Sequence, residues 1–320
     1  MKICIASPID TEAMEALGTA HEVTRAFGVE PVRLKELAET SEVLIFRSGV
    51  KIDEDFLADA SRLRLVIRAG SGTDNIDLPW LEKKGIAFHR IPEPGARAVA
   101  EMSMALMLGL CRNLVEADRL TRQGRWAKHE LMGWLLKDKV LGLVGVGLIG
   151  SEVARLGAAF GMTLLGCGQR PASEPRPDLE ELGVRMCSLD DLLVESDVVS
   201  VHIPLNDATR GLFGPAKFEK MKPGAFLVNL ARGGIVDEAA LRDALTRKGG
   251  LAGAALDVHE REGEGQVSPL ADLPNVILTP HIGAMTADSQ REIGRRVVDI
   301  IQTFLPSGVT TSSDHKEKVH

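Results

Sequence analysis

The stretch Leu141–Ala154, Leu-Gly-Leu-Val-Gly-Val-Gly-Leu-Ile-Gly-Ser-Glu-Val-Ala, constrains the fold of this chain more than any other. Val140–Val144 is an apolar run of the length of a buried strand. Gly145, Gly147 and Gly150 follow, and Leu148, Ile149, Val153, Ala154 and Leu156 then recur at helical spacing. A strand, a glycine turn and a helix start form the context in which G-x-G-x-x-G binds a dinucleotide. Gly145 permits the turn, Gly147 lets the backbone approach a pyrophosphate, and Gly150 lets the helix pack on the strand. The N-terminus of that helix offers unpaired N–H groups and a positive dipole end to phosphates. A glycine-rich packing turn without ligand is the competing reading of the motif by itself.

The remaining chain supplies a matching α/β frame. With 320 residues, two domains are expected. Before the fingerprint, strands are expected at Ile3–Ala6, Val43–Phe46, Leu65–Ala69 and Ile86–Ile91, and helices at Glu12–Leu17, Arg33–Glu39 and Asp53–Ala60. Residues 1–91 therefore read as a small α/β domain. Pro92-Glu93-Pro94-Gly95 reads as a hinge. Arg97–Gln123 reads as one long helix, apolar on nearly every face around Met102–Cys111. Such a helix is buried on all sides, in a subunit interface or within the monomer, and a homodimer through the nucleotide domain is expected. After the fingerprint, strands fit Thr163–Cys167, Val198–Ile203, Ala225–Ala231, Ala254–Val258 and Val276–Thr279. Six strands in all make a doubly wound parallel sheet over residues 92–283. Ala287–Phe304 has one apolar face, so residues 284–305 are expected to return to the first domain, and residues 306–320 to form a loose tail.

Composition narrows the class of partner. The net charge of −7 comes with no basic stripe, which argues against nucleic acid. No apolar run approaches the roughly 18 residues that span a bilayer, so no membrane partner is expected. Cys4, Cys111, Cys167 and Cys187 have no metal-type spacing, which points to free thiols in a reducing cytoplasm and to no bound metal.

Three expected strands end in polar residues at the side where doubly wound sheets bind ligands. Asn229-Leu-Ala-Arg-Gly-Gly-Ile-Val-Asp-Glu238 places Arg232 at a glycine turn. Ala254-Ala-Leu-Asp-Val-His-Glu-Arg-Glu262 supplies acids at 257, 260 and 262, and Leu278-Thr-Pro-His-Ile-Gly-Ala284 supplies His281. Each could be structural by itself: Arg232 capping a helix, Glu262 in a solvated run, His281 in a proline loop. Behind a dinucleotide fingerprint, their combination points to chemistry.

These stretches, with Phe46-Arg47-Ser48 and Arg68-Ala-Gly-Ser-Gly-Thr-Asp-Asn-Ile-Asp77 before the fingerprint and Val201-His-Ile-Pro-Leu205 after it, carry a resemblance. From about Val43 to Phe304 the chain resembles the D-isomer-specific 2-hydroxyacid dehydrogenases, and within them the D-3-phosphoglycerate dehydrogenase branch in a short form without the regulatory domain. The resemblance implies a Rossmann-type nucleotide domain with a smaller flavodoxin-like substrate domain. It implies Arg232, Glu262 and His281 as catalytic residues, and Asp257 as partner of the nicotinamide carboxamide. Leu148 and Ile149 would bind pyrophosphate, while Ile203, Pro204, Leu230, Ala231, Gly283 and Ala284 would line the cofactor. Arg47, Ser48, Ser71 and Gly72 would meet the substrate together with Arg232 and His281.

The roles suit the residue types. Reduction of a 2-keto acid needs a hydride on carbon and a proton on oxygen, and histidine is matched to giving that proton near neutral pH. Glu262 would favour the imidazolium and orient the ring. The fork of Arg232 would hold the carboxylate and polarise the carbonyl.

The chain also departs from the family. Arg90-Ile-Pro-Glu-Pro-Gly-Ala-Arg-Ala-Val-Ala-Glu101 stands where the family usually writes Asn-Thr-Pro…Asn…Ser-Val-Ala-Glu, so Gly95 and Ala98 replace polar residues. Gly263 follows Glu262 in place of the usual proline, which suggests a looser loop. At the end of the second nucleotide-domain strand, Gly168-Gln169-Arg170 replaces the carboxylate that holds the ribose hydroxyls of NAD. NADP is therefore the expected cofactor, with NAD the alternative. A 3-phosphoglycerate dehydrogenase-like enzyme is the leading reading and a glyoxylate or hydroxypyruvate reductase using NADPH the second. A nucleotide-sensing corepressor on the same scaffold is the non-enzymatic alternative.

Overall fold

The computed structural model describes residues 1–47, 49–168 and 176–304. They form two compact units, one of Met1–Ile91 with the chain from Gln290, the other Pro92–Ser289.

The first unit carries β1 (Lys2–Ile5), α1 (Thr11–Ala20), β2 (Glu22–Arg25), α2 (Pro31–Glu39), β3 (Val43–Phe46), α3 (Glu54–Leu57), β4 (Leu65–Arg68), α4 (Leu78–Lys83) and β5 (Ala87–Arg90). Its five parallel strands lie in the order β2-β1-β3-β4-β5, the order of flavodoxin-like sheets. β3 is buried along its whole length, as a central strand covered on both faces must be. Two elements escape the sequence reading. Edge strand β2, Glu-Val-Thr-Arg, is polar at every position but Val23, because only one side of it pairs. The short helix α4 is started by Asp77, whose side chain accepts from Trp80 N at 3.0 Å. Across one face lies the C-terminal helix, numbered α12 in chain order (Ala287–Phe304). Its Ile293, Val297 and Ile301 are buried among Ile3, Ile5, Val43 and Ile67. Burying each is worth roughly 1.5–3 kcal/mol, enough to fasten the helix to this sheet.

The second unit begins with α5 (Glu93–Cys111) and α6 (Leu114–Arg122), followed by β6 (Val140–Val144), α7 (Leu148–Ala159), β7 (Thr163–Cys167), α8 (Pro177–Glu180), β8 (Val184–Met186), α9 (Leu189–Glu195), β9 (Val198–Val201), α10 (Pro215–Lys220), β10 (Phe226–Asn229), α11 (Glu238–Thr246), β11 (Gly253–Leu256) and β12 (Val276–Leu278). The parallel sheet runs β12-β11-β10-β9-β6-β7-β8. It has seven strands rather than the expected six, because the three-residue edge strand β8 carries too little apolar signal to stand out. Strand order reverses beside β6, which puts the carboxyl end of the fingerprint strand at the ligand-binding switch point.

The expected single helix Arg97–Gln123 is instead α5 and α6, bent by 61°. Asn113 breaks it in the left-handed conformation, φ 52°. Pro92-Glu93-Pro94-Gly95, read as a hinge, falls where the second unit begins and leads directly into α5, since proline in a first helical turn gives up an N–H that has no partner there. The apolar girth of α5 also has a cause inside the unit. Ala100, Met104, Met107 and Leu110 share a core with Leu141, Val153, Val228 and Ala255, from β6, α7, β10 and β11. That burial removes α5 as an argument for a dimer. Among the described residues, no single helix is long and apolar enough to cross a membrane.

The passage to the first unit falls at Gln290 rather than at 284. Residues 282–289 are held to the second unit, where Asp257 accepts from Gly283 N and the Ser289 hydroxyl donates to the Pro94 carbonyl at 2.8 Å.

Candidate active site

The fingerprint turn has the geometry its glycines imply. Gly145 sits at φ +100°, and a Cβ there would lie 2.5 Å from the His202 carbonyl oxygen. A Cβ on Gly150 would overlap the Gly145 carbonyl oxygen and lie 3.0 Å from its carbon, so only glycine lets α7 start this close to β6. Gly147 differs, because a Cβ there meets nothing within 4 Å. The space its hydrogen faces is therefore open, beside the first N–H groups of α7, which have no intrahelical acceptor. That cradle fits a pyrophosphate. Leu148 is 48% exposed at the helix start, while Leu230, Ala231 and Gly283 are buried in the loops that follow β10 and β12. Ile203 is half-buried and Pro204 exposed just after β9. Ala284 lies within 3.6 Å of a Cβ built on Gly95.

At the same edge, β10, β11 and β12 are neighbours in register, Asn229 beside Leu256 and Leu256 beside Leu278. Their outgoing loops carry Arg232, Glu262 and His281. The Arg232 turn is shaped by Asn229, 1% exposed, whose Oδ1 accepts from Ala231 N (3.0 Å) and whose Nδ2 donates to Arg232 O (3.2 Å). Gly233 then packs so closely on the next loop that a Cβ would reach within 2.5 Å of the His259 carbonyl carbon. The guanidinium of Arg232 itself donates from Nη1 to Ala231 O at 2.6 Å.

His281 Nδ1 and Glu262 Oε2 are 2.9 Å apart, with both side chains open to solvent (47% and 40%). Burial raises the Glu262 carboxyl, but the hydrogen bond and charge of His281 outweigh it, and the net direction is below the usual carboxylate range. Glu262 Oε1 accepts from His259 N at 3.2 Å, so both oxygens are occupied. The histidine is held in a left-handed backbone conformation, φ 55°. A non-glycine residue pays about 1–3 kcal/mol for that, and the turn recovers it through Asp257. The Asp257 carbonyl accepts from His281 N (2.8 Å), and its carboxylate accepts from Thr279 Oγ1 (2.6 Å), Ile282 N (2.9 Å) and Gly283 N (2.7 Å). Asp257 is 1% exposed, and these bonds give it a role the sequence reading had not assigned, as the scaffold of the His281 turn. Asn229 and Thr279 were also passed over as site residues. Their signal was a polar side chain at the end of an otherwise apolar strand. Gly263 adopts φ +125°, which proline, fixed near −65°, cannot reach; the departure there is a different loop conformation rather than a looser one.

In the first unit, the loop after β4 that carries Ser71 and Gly72 is braced by Arg68, whose Nε donates to Gly72 O at 2.9 Å and whose guanidinium lies 5.4 Å from the Phe46 ring centroid. Arg47 follows β3, half-buried, and burial lowers its pKa. Ser48, Gln169 and Arg170 lie outside the described residues, as does the expected tail. Gly168 follows β7, and a Cβ there would make an ordinary 3.6 Å contact with Val146 Cγ2.

A doubly wound sheet with an open glycine cradle at its switch point thus carries a carboxylate–histidine pair on the same edge. Residues 104–283 match the family described as D-isomer specific 2-hydroxyacid dehydrogenase, NAD binding domain. The chain is 38% identical over 302 residues to a D-3-phosphoglycerate dehydrogenase of Archaeoglobus fulgidus, a match covering 94% of this chain and 56% of that protein. It is 37% identical over 303 residues to a hydroxypyruvate reductase of Thermotoga maritima, covering 94% and 97%. Among solved structures, a D-lactate dehydrogenase from Aquifex aeolicus complexed with NAD and lactic acid superposes with a TM-score of 0.82 at 30% identity, covering 95% of each chain. This chain belongs to the D-isomer specific 2-hydroxyacid dehydrogenases. It spans only about half the length of the phosphoglycerate dehydrogenase relative.

Proposed function

We propose that the chain is a nicotinamide-dependent oxidoreductase that interconverts a 2-keto acid and a D-2-hydroxy acid. The observation that carries this reading is the 2.9 Å pairing of His281 Nδ1 with Glu262 Oε2 at the ligand edge of a sheet whose first turn is the dinucleotide fingerprint. With Nδ1 engaged by the carboxylate, Nε2 is the nitrogen left to hand a proton to the carbonyl oxygen of the substrate. Glu262 keeps the ring oriented and stabilises the imidazolium before transfer. Arg232 grips the substrate carboxylate and draws charge from the reacting carbonyl. Leu148 and Ile149 N–H groups hold the pyrophosphate, and the bound nicotinamide supplies the hydride. Ile203, Pro204, Leu230, Ala231, Gly283 and Ala284 are assigned to the cofactor, and Asp257 to its carboxamide. Arg47, Ser71 and Gly72 are assigned to the rest of the substrate.

The leading substrate is 3-phosphoglycerate or its keto form, supported by the likeness to the phosphoglycerate dehydrogenase relative and by Arg47. Hydroxypyruvate or glyoxylate reduction with NADPH is the second reading. It is favoured by Gly168, which supplies no carboxylate to repel a 2′-phosphate, and by Arg176, whose Nη2 reaches Val146 O at 3.2 Å in the glycine turn. We also assign a homodimer, through the apolar side chains left exposed after α6; Trp126 is 82% and Met132 87% exposed. Four free cysteines suit a reducing cytoplasm.

Steady-state assays of 3-phosphoglycerate, D-glycerate, D-lactate and glycolate oxidation, and of the matching reductions with NADH and NADPH, test the assignment. Turnover of at least one pair is expected; cofactor binding without turnover of any would support the corepressor reading instead. Trp126→Asp should convert a dimer to a monomer in light scattering, and a wild-type monomer at micromolar concentration removes the assembly.

A further inference from the structure

We propose that Glu238 is a positioning residue for the carboxylate–histidine pair, acting through the loop that carries Glu262; the inference rests on the dehydrogenase reading of that pair. Glu238 is the first residue of α11 and is 2% exposed. Its Oε1 accepts from Glu260 N at 2.8 Å and its Oε2 from Ser268 Oγ at 3.0 Å. In return, Glu260 Oε1 accepts from Glu238 N at 3.0 Å, an N–H that the start of a helix leaves without an internal acceptor. Two glutamates thus lock each other's backbone, tying α11 to both ends of the loop after β11.

That lock matters because the loop has little else to hold it. Residues 260–267 are all exposed, so no apolar side chain anchors them. Position must therefore come from hydrogen bonds. On the other flank, His259 bonds the Thr279 carbonyl through Nε2 at 2.9 Å, which requires that nitrogen to carry the hydrogen, and its N–H reaches Glu262 Oε1. Glu262 lies two residues beyond Glu260 and presents its second oxygen to His281. Removing the Glu238 carboxylate frees Glu260 N and the Ser268 hydroxyl together, and the peptide from 260 to 268 loses its buried hold. A pair at 2.9 Å is sensitive to such freedom, since hydrogen bonds weaken steeply with distance and angle. Burying a carboxylate costs free energy unless its oxygens are met by donors, and here both are. The helix start at Glu238 adds a favourable dipole.

The experiment follows the imidazole of His281 by ¹⁵N NMR, assigned by loss of its signal in His281→Asn, in the whole chain without cofactor. Glu238→Ala should move the His281 Nδ1 chemical shift, read at one fixed pH, in the direction that Glu262→Gln moves it, because both weaken the hydrogen bond at Nδ1. The double variant should move it no further, because both act on one interaction. Glu238→Gln should restore the wild-type chemical shift, since its amide oxygen still accepts from Glu260 N and its NH₂ can donate to Ser268 Oγ. With hydroxypyruvate as substrate, kcat should fall roughly 10–100-fold in Glu238→Ala, while the Kd of the cofactor stays within about twofold. If Glu238→Ala does not fold, Glu260→Ala, at an exposed position, removes half of the lock and should move the His281 Nδ1 shift the same way. An unmoved His281 Nδ1 shift, or full additivity with Glu262→Gln, overturns the proposal. A shift moved by Glu238→Ala, together with a wild-type protein that turns over no 2-keto acid, would sustain the positioning role and sink the dehydrogenase reading.

Discussion

Gly147 and Gly150 stand three residues apart in one turn, and the structure assigns them opposite burdens. A methyl at position 150 would drive into the Gly145 carbonyl, a backbone group that cannot rotate aside. Overpacking of this kind costs about 3 kcal/mol at the upper end of its usual range, and alanine returns about 1 kcal/mol through helix propensity. The net loss, about 2 kcal/mol, should lower Tm by roughly 4–8 °C in a domain of this size. A methyl at position 147 meets no atom of the chain, and the backbone there, φ −77° and ψ −159°, accepts alanine. Its cost as a helix cap is about 0.5–1 kcal/mol, so the apo protein should melt within a few degrees of wild type. Binding should behave in the reverse way. The same methyl would hold a pyrophosphate off the first N–H groups of α7, and losing one charge-assisted bond of about 1.5–3 kcal/mol weakens cofactor roughly 10- to 150-fold. Thermal melts without ligand and calorimetric titrations with NADH and NADPH separate the two effects. Wild-type cofactor affinity in Gly147→Ala, or an unchanged melt for Gly150→Ala, would refute the division of labour.

Other expectations follow from the same geometry. His281→Ala should cut kcat about 10²–10⁴-fold with little change in cofactor Kd, whereas near-wild-type turnover would return His281 to a structural role. Glu262→Gln should leave measurable activity and move the alkaline loss of keto-acid reduction to lower pH. The carboxyl of Glu262 is held low by His281, so at neutral pH it is the ionised partner that favours the protonated ring, and the amide cannot replace that charge; an unshifted pH–rate profile contradicts the pairing. Gly168→Asp fits sterically beside Val146 and should turn preference toward NADH by tenfold or more, read as the ratio of kcat/KM values, and an unchanged ratio removes Gly168 as a determinant. Burial pushes the thiols of Cys4, Cys111 and Cys167 up to about 11, so at pH 8 a disulfide reagent should modify half-exposed Cys187 first and the other three only on unfolding. Rapid native reaction of all four would contradict that burial.

The fingerprint strand, the central strands and the closing helix Ala287–Phe304 were readable from the residues alone, because a strand or helix face buried in a core must be apolar at a fixed period. The polar residues that end β10, β11 and β12 were readable for a related reason: parallel strands with glycine turns deliver their outgoing loops to one edge, so Arg232, Glu262 and His281 fall on the same side whatever the packing details. Edge strands β2 and β8 were not, since a strand paired on one side alone needs no apolar run. The break between α5 and α6 depends on the left-handed Asn113, which a periodic pattern passes through without a mark. Whether α5 was buried by a partner or by its own unit could not be told from its apolar girth, as both environments exclude water equally; its packing against α7 and the sheet decided it. The strained His281 turn on Asp257, and the lock of Glu238 with Glu260, likewise belong to tertiary structure. Their bonds join residues 19 to 26 positions apart, and only the adjacency of strands β10 to β12 and of α11 brings such side chains within reach.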